Sequence, residues 1–256
     1  MVFSSSRRQP GIGLRQVAGP EAAAAAVVQE LVELVERCTA QGRPCVVGFA
    51  TGRSMLAVYE ALVERVRKGE LDPARMRSFN LDEYLDLAPD DPRSFRAFMQ
   101  RHWIGPGQVD PTWVALPGVP GCGTGSEADG EAYERAIERA GGLDLLYLGL
   151  GRNGHIAFNE PGATRDSRTR VVELASETRR DAVPAFGSLD QVPKRAITMG
   201  IATILSARRL RVLAFGEAKA AAVAATLVGE PQESWPCSFL AGHPDVQLLV
   251  DPAAAG

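Results

Sequence analysis

"LDLLYLGLGRNGHIAFNEPG", Leu143 to Gly162, sets an apolar run directly against a glycine-rich loop holding one of the chain's three histidines. The run, Leu143 to Leu150, is short and almost without polar alternation, as expected of a strand covered on both faces. The glycines after it let the backbone turn sharply out of the strand, so that His155 faces a crevice beyond the strand end.

Outward from this stretch the chain alternates. Upstream, "GPEAAAAAVVQELVELVERCTAQG" has helical spacing with a proline near its start and a glycine past its end, and "PCVVGFA" follows as a short β-branched run. "MLAVYEALVERVRKGEL" returns to helical spacing, "RMRSFNL" reads as a strand, and "SFRAFMQRHW" and "EADGEAYERAIERAGG" read as helices. Downstream, "RTRVVEL", "LRVLAF" and "VQLLV" read as strands, with "EAKAAAVAATLVG" a helix between the last two. This order predicts an α/β fold, Rossmann-like, with a mainly parallel sheet and helices on both faces.

Composition agrees. With 256 residues, 45% hydrophobic and 23% charged, the chain can bury a full core. The expected organisation is a flexible N-terminal arm over residues 1–13, rich in Ser, Arg and Gly, and one α/β domain over 14–256. A net charge of -3 without a long basic stripe argues against nucleic acid as a partner. Cys38, Cys45, Cys122 and Cys237 have no metal-ligand spacing and read as reduced, structural thiols. No run approaches the ~20 apolar residues of a membrane span, and no apolar signal region follows Arg7 and Arg8, so the expected location is cytoplasmic.

In parallel sheets of this kind ligands bind beyond the carboxyl ends of the strands. Four polar segments fall there: "TGRSM", "DEY", "GRNGHIAFNEPG" and "GEAK". They would bring Thr51, Gly52, Arg53, Ser54, Asp82, Glu83, His155, Glu160 and Lys219 to one rim. Each also has a plain reading: a helix-capping turn, acids at a strand end, a solvated lysine, a structural histidine of the kind expected for His102 and His243. Their convergence, together with the long spelling of the His155 loop, favours a site.

"FNLDEY", "LGLGRNGHIAFNEPG", "SRTRVVEL", "VPKRAITMGIATIL" and "GEAKAAAVAATLVGE" resemble, in order and spacing, the glucosamine-6-phosphate deaminase (isomerase) family from about Val46 to Asp251. The related 6-phosphogluconolactonases share a GHxA string but continue differently. The resemblance implies conversion of glucosamine 6-phosphate to fructose 6-phosphate and ammonia, with no metal and no organic cofactor. It makes Asp82 the base that moves a hydrogen between carbons 2 and 1, His155 the proton shuttle of ring opening, and Glu160 and Asn153 the residues around the imidazole. Thr51, Gly52, Arg53, Ser54 and Lys219 would hold the phosphate, with Glu83 and Gly154 in support. Loss of ammonia also puts the term hydrolase among the expectations, beside isomerase.

Three departures accompany the resemblance. Asn153 stands where many relatives have an acid, and Pro184, in "AVPAF", stands where an arginine often grips the phosphate. Val172 stands where a lysine is common in the basic cluster of allosterically activated members, so no such activation is expected. The partner is a small sugar phosphate, with no nucleic acid and no membrane; homo-oligomerisation is open. The rivals are a deaminase of another hexosamine 6-phosphate, a lactonase, and a catalytically silent sugar-phosphate sensor.

Overall fold

The computed structural model describes residues 11–88, 90–118, 126–228 and 230–256. Ten strands run in chain order: β1 (Ile12–Gln16), β2 (Cys45–Phe49), β3 (Met76–Asn80), β4 (Asp82–Tyr84), β5 (Val114–Ala115), β6 (Leu145–Gly149), β7 (Arg170–Glu173), β8 (Arg195–Thr198), β9 (Leu210–Ala214) and β10 (Val246–Val250). The α-helices are α1 (Pro20–Ala40), α2 (Leu56–Arg67), α3 (Phe95–Met99), α4 (Glu127–Arg139), α5 (Ser176–Phe186), α6 (Ile201–Leu205), α7 (Ala220–Val228) and α8 (Pro252–Ala255).

Seven strands form one parallel sheet in the order β1-β10-β9-β6-β2-β3-β5. Its central strands β2, β6 and β9 are buried almost throughout, which accounts for their unbroken apolar spelling. In α1 the buried positions Ala23, Ala24, Val27, Val28, Leu31, Val32, Leu34, Val35 and Cys38 recur at helical period, and the helix opens on Pro20 at its first position. These side chains join one continuous core with Phe49, Tyr59, Trp103 and Tyr147. Phe49 and Tyr147 stack 5.6 Å apart within it.

A second sheet, β4-β8-β7, is antiparallel. The chain crosses into it at Leu81, whose N–H donates to Phe49 O of the main sheet and whose carbonyl accepts from Met199 N beside β8. The segment "RTRVVEL" is thus a strand, as expected, but it belongs to this smaller sheet. "DEY" is itself a strand, where a polar strand end was expected.

Ile12 and Gly13, placed by sequence at the end of a loose arm, pair with Val246 and Gln247 in β1. Residues 1–10 of that arm, Cys122, and Gly229 at the end of the expected helix "EAKAAAVAATLVG" lie outside the described residues. Cys38, Cys45 and Cys237 are free and buried. No helix among the described residues is long and apolar enough to cross a membrane.

Candidate active site

The carboxyl ends of β2, β3 and β6 surround a cavity of about 190 Å³ lined by Thr51, Ser54, Asp82, Gly151 and His155, with Leu81, Phe95, Ala157 and Phe158 among its apolar walls. Four of the residues expected at one rim therefore meet in one cavity. Gly52, Arg53, Glu83, Glu160 and Lys219 do not line it.

Asp82 begins β4, where the chain leaves the main sheet, and is 7% exposed. Among the described residues no side chain or amide donates a hydrogen bond to its carboxylate. Burial, followed by the charge of Glu83, pushes its pKa up to about 8. Such a carboxyl sits near the point where it can both accept and return a proton at neutral pH.

Glu83 points elsewhere. Its Oε1 accepts from Tyr84 N (2.8 Å) and Phe95 N (2.9 Å), and its Oε2 accepts from Arg96 N (2.8 Å). It thereby pins the first turn of α3, whose N-cap Ser94 accepts from Ala97 N. Through these bonds Glu83 fixes Phe95, one of the cavity's apolar walls.

The His155 loop is folded by its glycines. Gly151 N donates to His155 O (2.9 Å), and a Cβ on Gly151 would stand 2.2 Å from His155 Nδ1, so only glycine leaves room for the ring. Gly154 has φ +82° and packs against Trp235 and Cys237, where a Cβ would come within 2.5 Å of the indole. Further on, Asn159 Nδ2 donates to Ile156 O and Met199 O, while its Oδ1 accepts from Arg170. This ties the "FNEP" turn to the second sheet.

His155 Nδ1 lies 2.8 Å from Asn153 Oδ1, Asn153 Nδ2 donates to Glu160 Oε2 at 3.0 Å, and Glu160 Oε1 accepts from Thr178 Oγ1. The direct separation of His155 Nδ1 and Glu160 Oε2 is 3.6 Å. Asn153 acts as a hydrogen-bonded link, and since its Oδ1 can only accept, His155 Nδ1 carries the proton and Nε2 is left with the lone pair. Burial pulls the imidazole pKa below its ordinary value; Glu160 opposes this, Lys219 adds to it, and Asp181 and Glu177 oppose it more weakly.

Lys219 is half-buried beyond β9, and its pKa is lowered, chiefly by burial and also by Arg152 and Arg53, against the pull of Asp181. Arg53 is exposed. Pro184 lies inside α5, so the arginine expected there has no counterpart at that position. Sequence reading misses Arg152, which bonds to Asp181 of α5. Its position inside the histidine loop is the one available signal, because the partner lies 29 residues away.

The other histidines are satisfied structurally. His243 Nε2 pairs with Ala207 O and its Nδ1 accepts from Asp245 N, while His102 packs on Phe98. Cys38, Cys45 and Asp144 bring three potential metal-binding atoms within 4.8 Å of one another. Asp144 already accepts from Arg43, Arg208 and Val46 N, and the group lies at the amino end of β2, opposite the cavity.

A family model for glucosamine-6-phosphate isomerases/6-phosphogluconolactonase matches residues 18–249. The chain belongs to this family. Within it, a glucosamine-6-phosphate deaminase of Rhodopirellula baltica is 46% identical over 92% of this chain and 91% of its own length. One from Beutenbergia cavernae is 44% identical over 91% and 87%. The solved structure of a monomeric glucosamine-6-phosphate deaminase superposes with a TM-score of 0.88 at 34% identity, covering 95% of this chain and 98% of that one. The 6-phosphogluconolactonase of Leishmania guyanensis, at 20% identity and a TM-score of 0.76 over 95% and 97%, shares the fold. The family match extends the resemblance toward the N-terminus, from Val46 to residue 18. The term hydrolase is corrected by these relatives, which are glucosamine-6-phosphate deaminases matched by an isomerase family model.

Proposed function

We propose that this chain is a glucosamine-6-phosphate deaminase, converting glucosamine 6-phosphate to fructose 6-phosphate and ammonia. The single observation that carries the mechanism is that Asp82, unpaired and with its pKa near 8, lines the same cavity as the imidazole of His155. A lactone hydrolysis would need one base to activate water. Here a carboxyl of raised pKa and a largely neutral imidazole line one cavity, supplying the two groups that proton transfer at two places on one sugar calls for.

With the cyclic sugar phosphate bound, His155 takes the proton of the C1 hydroxyl and returns one to the ring oxygen as the C1–O5 bond breaks, giving the open-chain aldehyde. Asp82 in its carboxylate form removes the hydrogen on C2, the electrons move to the carbonyl oxygen, and that oxygen takes a proton from the 2-ammonium group to give an enol-amine. The carboxyl then delivers its proton to C1, the C2–N bond becomes an imine, and addition of water to C2 expels ammonia and leaves the ketone. Asp82 thus accepts and returns one proton, which suits a group with pKa close to the working pH. Thr51 and Ser54 hold the sugar and phosphate from the loop after β2, and Lys219 supplies charge. No step calls on a metal or organic cofactor. The free thiols Cys38, Cys45 and Cys237 support a reducing, cytoplasmic compartment.

The test is a coupled assay for ammonia and fructose 6-phosphate, run beside hydrolysis of 6-phosphogluconolactone. Ammonia and ketose formed in equal amounts bear the proposal out. Lactone turnover alone would replace it, and binding of the sugar phosphate without either product would make the chain a sensor.

A further inference from the structure

Three neighbouring strands of the parallel sheet, β9, β6 and β2, each lead at the same rim into a loop with a cation: Lys219, Arg152 and Arg53. Arg152 is distinguished from the other two by its partners. Its guanidinium pairs with Asp181, Nε standing 3.2 Å from Oδ2, and its Nη2 lies 3.9 Å from Glu177 Oε1. Both carboxylates belong to α5, the helix that also carries Pro184. Arg152 directly precedes Asn153, which holds the His155 ring, so its loop is anchored at the cavity.

Three cations gathered about one rim repel one another unless an anion joins them. Asp181 and Glu177 supply that anion for Arg152. The pair is about half-exposed on both sides, with 46% accessibility for Arg152 and for Asp181, and pairs so open to solvent are weak. A phosphate dianion offers the planar guanidinium two acceptor oxygens and twice the charge, so it can displace a solvated carboxylate.

We infer that Arg152 takes the place of the arginine replaced by Pro184: it exchanges the α5 carboxylates Asp181 and Glu177 for the 6-phosphate when the sugar phosphate binds. The inference rests on the deaminase reading for the identity of the phosphorylated substrate. The helix that lacks the phosphate-binding arginine instead holds, through its acids, an arginine delivered from the neighbouring loop. Arg152 is then a specificity-determining residue, since it favours only a substrate with an anionic group at carbon 6.

Four proteins test this: wild type, Arg152→Ala, Arg152→Lys, and the double variant Glu177→Gln/Asp181→Asn. For each, KM and kcat are measured with glucosamine 6-phosphate, and the Kd of inorganic phosphate by calorimetry. Arg152→Ala is expected to raise both KM and the phosphate Kd by about tenfold or more, the effect of losing a charge-assisted hydrogen bond, with a much smaller change in kcat. Arg152→Lys should recover part of the loss. The double variant should bind phosphate more tightly, because Arg152 no longer has to be released. Unchanged KM and phosphate Kd in Arg152→Ala would overturn the inference and leave a surface ion pair. If that variant does not fold, wild-type phosphate Kd in both Arg152→Lys and the double variant overturns it equally. A wild type that binds phosphate but releases no ammonia defeats the deaminase reading alone, because the Kd comparison needs no turnover.

Discussion

The Nδ1 atom of His155 sits 2.8 Å from the side-chain oxygen of Asn153, a neutral partner that fixes the ring without compensating a positive charge on it. The nearest carboxylate, Glu160, acts on the imidazole across 3.6 Å and through the amide of Asn153. In combination with burial this arrangement favours neutral imidazole, with its lone pair on Nε2.

Two substitutions should move the imidazole in opposite directions. Glu160→Gln removes a charge that raises the His155 pKa, so the pKa should fall further. Asn153→Asp adds a charge at hydrogen-bond distance and should raise the pKa. Proton NMR titration of the His155 ring in both variants measures the shifts directly. Superimposable titrations would mean that neither side chain tunes the ring.

Asp82→Asn should retain phosphate binding and lose at least ~100-fold in kcat, the usual scale for a missing general base. The same variant has a stability signature. A carboxyl whose folded pKa, about 8, lies above its unfolded value stabilises the fold in its protonated form, and this contribution is lost as pH rises through the interval between the two values. The amide that replaces the carboxyl cannot ionise, so the variant should gain in thermal midpoint over wild type progressively from about pH 4 to pH 8. A constant difference in melting temperature between the two proteins across that range would contradict the buried, uncompensated state of Asp82.

Glu83 should behave differently from its neighbour. Glu83→Ala leaves two amides at the start of α3 and that of Tyr84 in β4 without their acceptor and should cost at least about 2 kcal/mol in urea unfolding. Glu83→Gln keeps one oxygen and should cost less. It also removes the charge that helps to raise the Asp82 pKa, so the acidic limb of kcat/KM should shift to lower pH. Loss of activity in Glu83→Gln with an unshifted profile and unchanged stability would instead place Glu83 in contact with substrate.

The central strands are legible in the sequence because burial on both faces leaves no choice but apolar, β-branched residues, as in "CVVGF" and "LLYLG". β1 is not, because it is an edge strand: "IGLRQ" buries only Ile12 fully, and its first two residues read as the end of a loose arm. β4, β7 and β8 are three or four residues long, and their pairing joins Asp82 to Thr198 across more than a hundred positions, which no local pattern encodes. The site divides along the same line. Asp82 and His155 can be brought together on paper because strand ends in a parallel sheet share a rim, whereas Arg152–Asp181 depends on where α5 packs. The linking role of Asn153 needs coordinates, since its side chain could meet the imidazole, the carboxylate or neither.

The loop reserves space for its histidine, and filling that space should separate catalysis from binding. In Gly151→Ala the new methyl would fall 2.2 Å from Nδ1, 2.3 Å from Cε1 and 2.4 Å from Cγ of His155, so the ring itself is displaced. The side chain is 22% exposed and faces a cavity, so the ring can swing aside without opening the core. Stability should therefore fall by no more than ~1–3 kcal/mol, the usual cost of overpacking. Catalysis depends on the ring standing where the sugar's ring oxygen will be, and a displacement of about 1 Å is enough to cost ~100-fold in rate. The expected signature is a much larger fall in kcat than rise in phosphate Kd, because Lys219 and the Thr51–Ser54 loop are untouched and only Arg152, the next residue, shares the altered loop. Wild-type kcat in Gly151→Ala would show that proton transfer at the ring oxygen does not require His155 at this position.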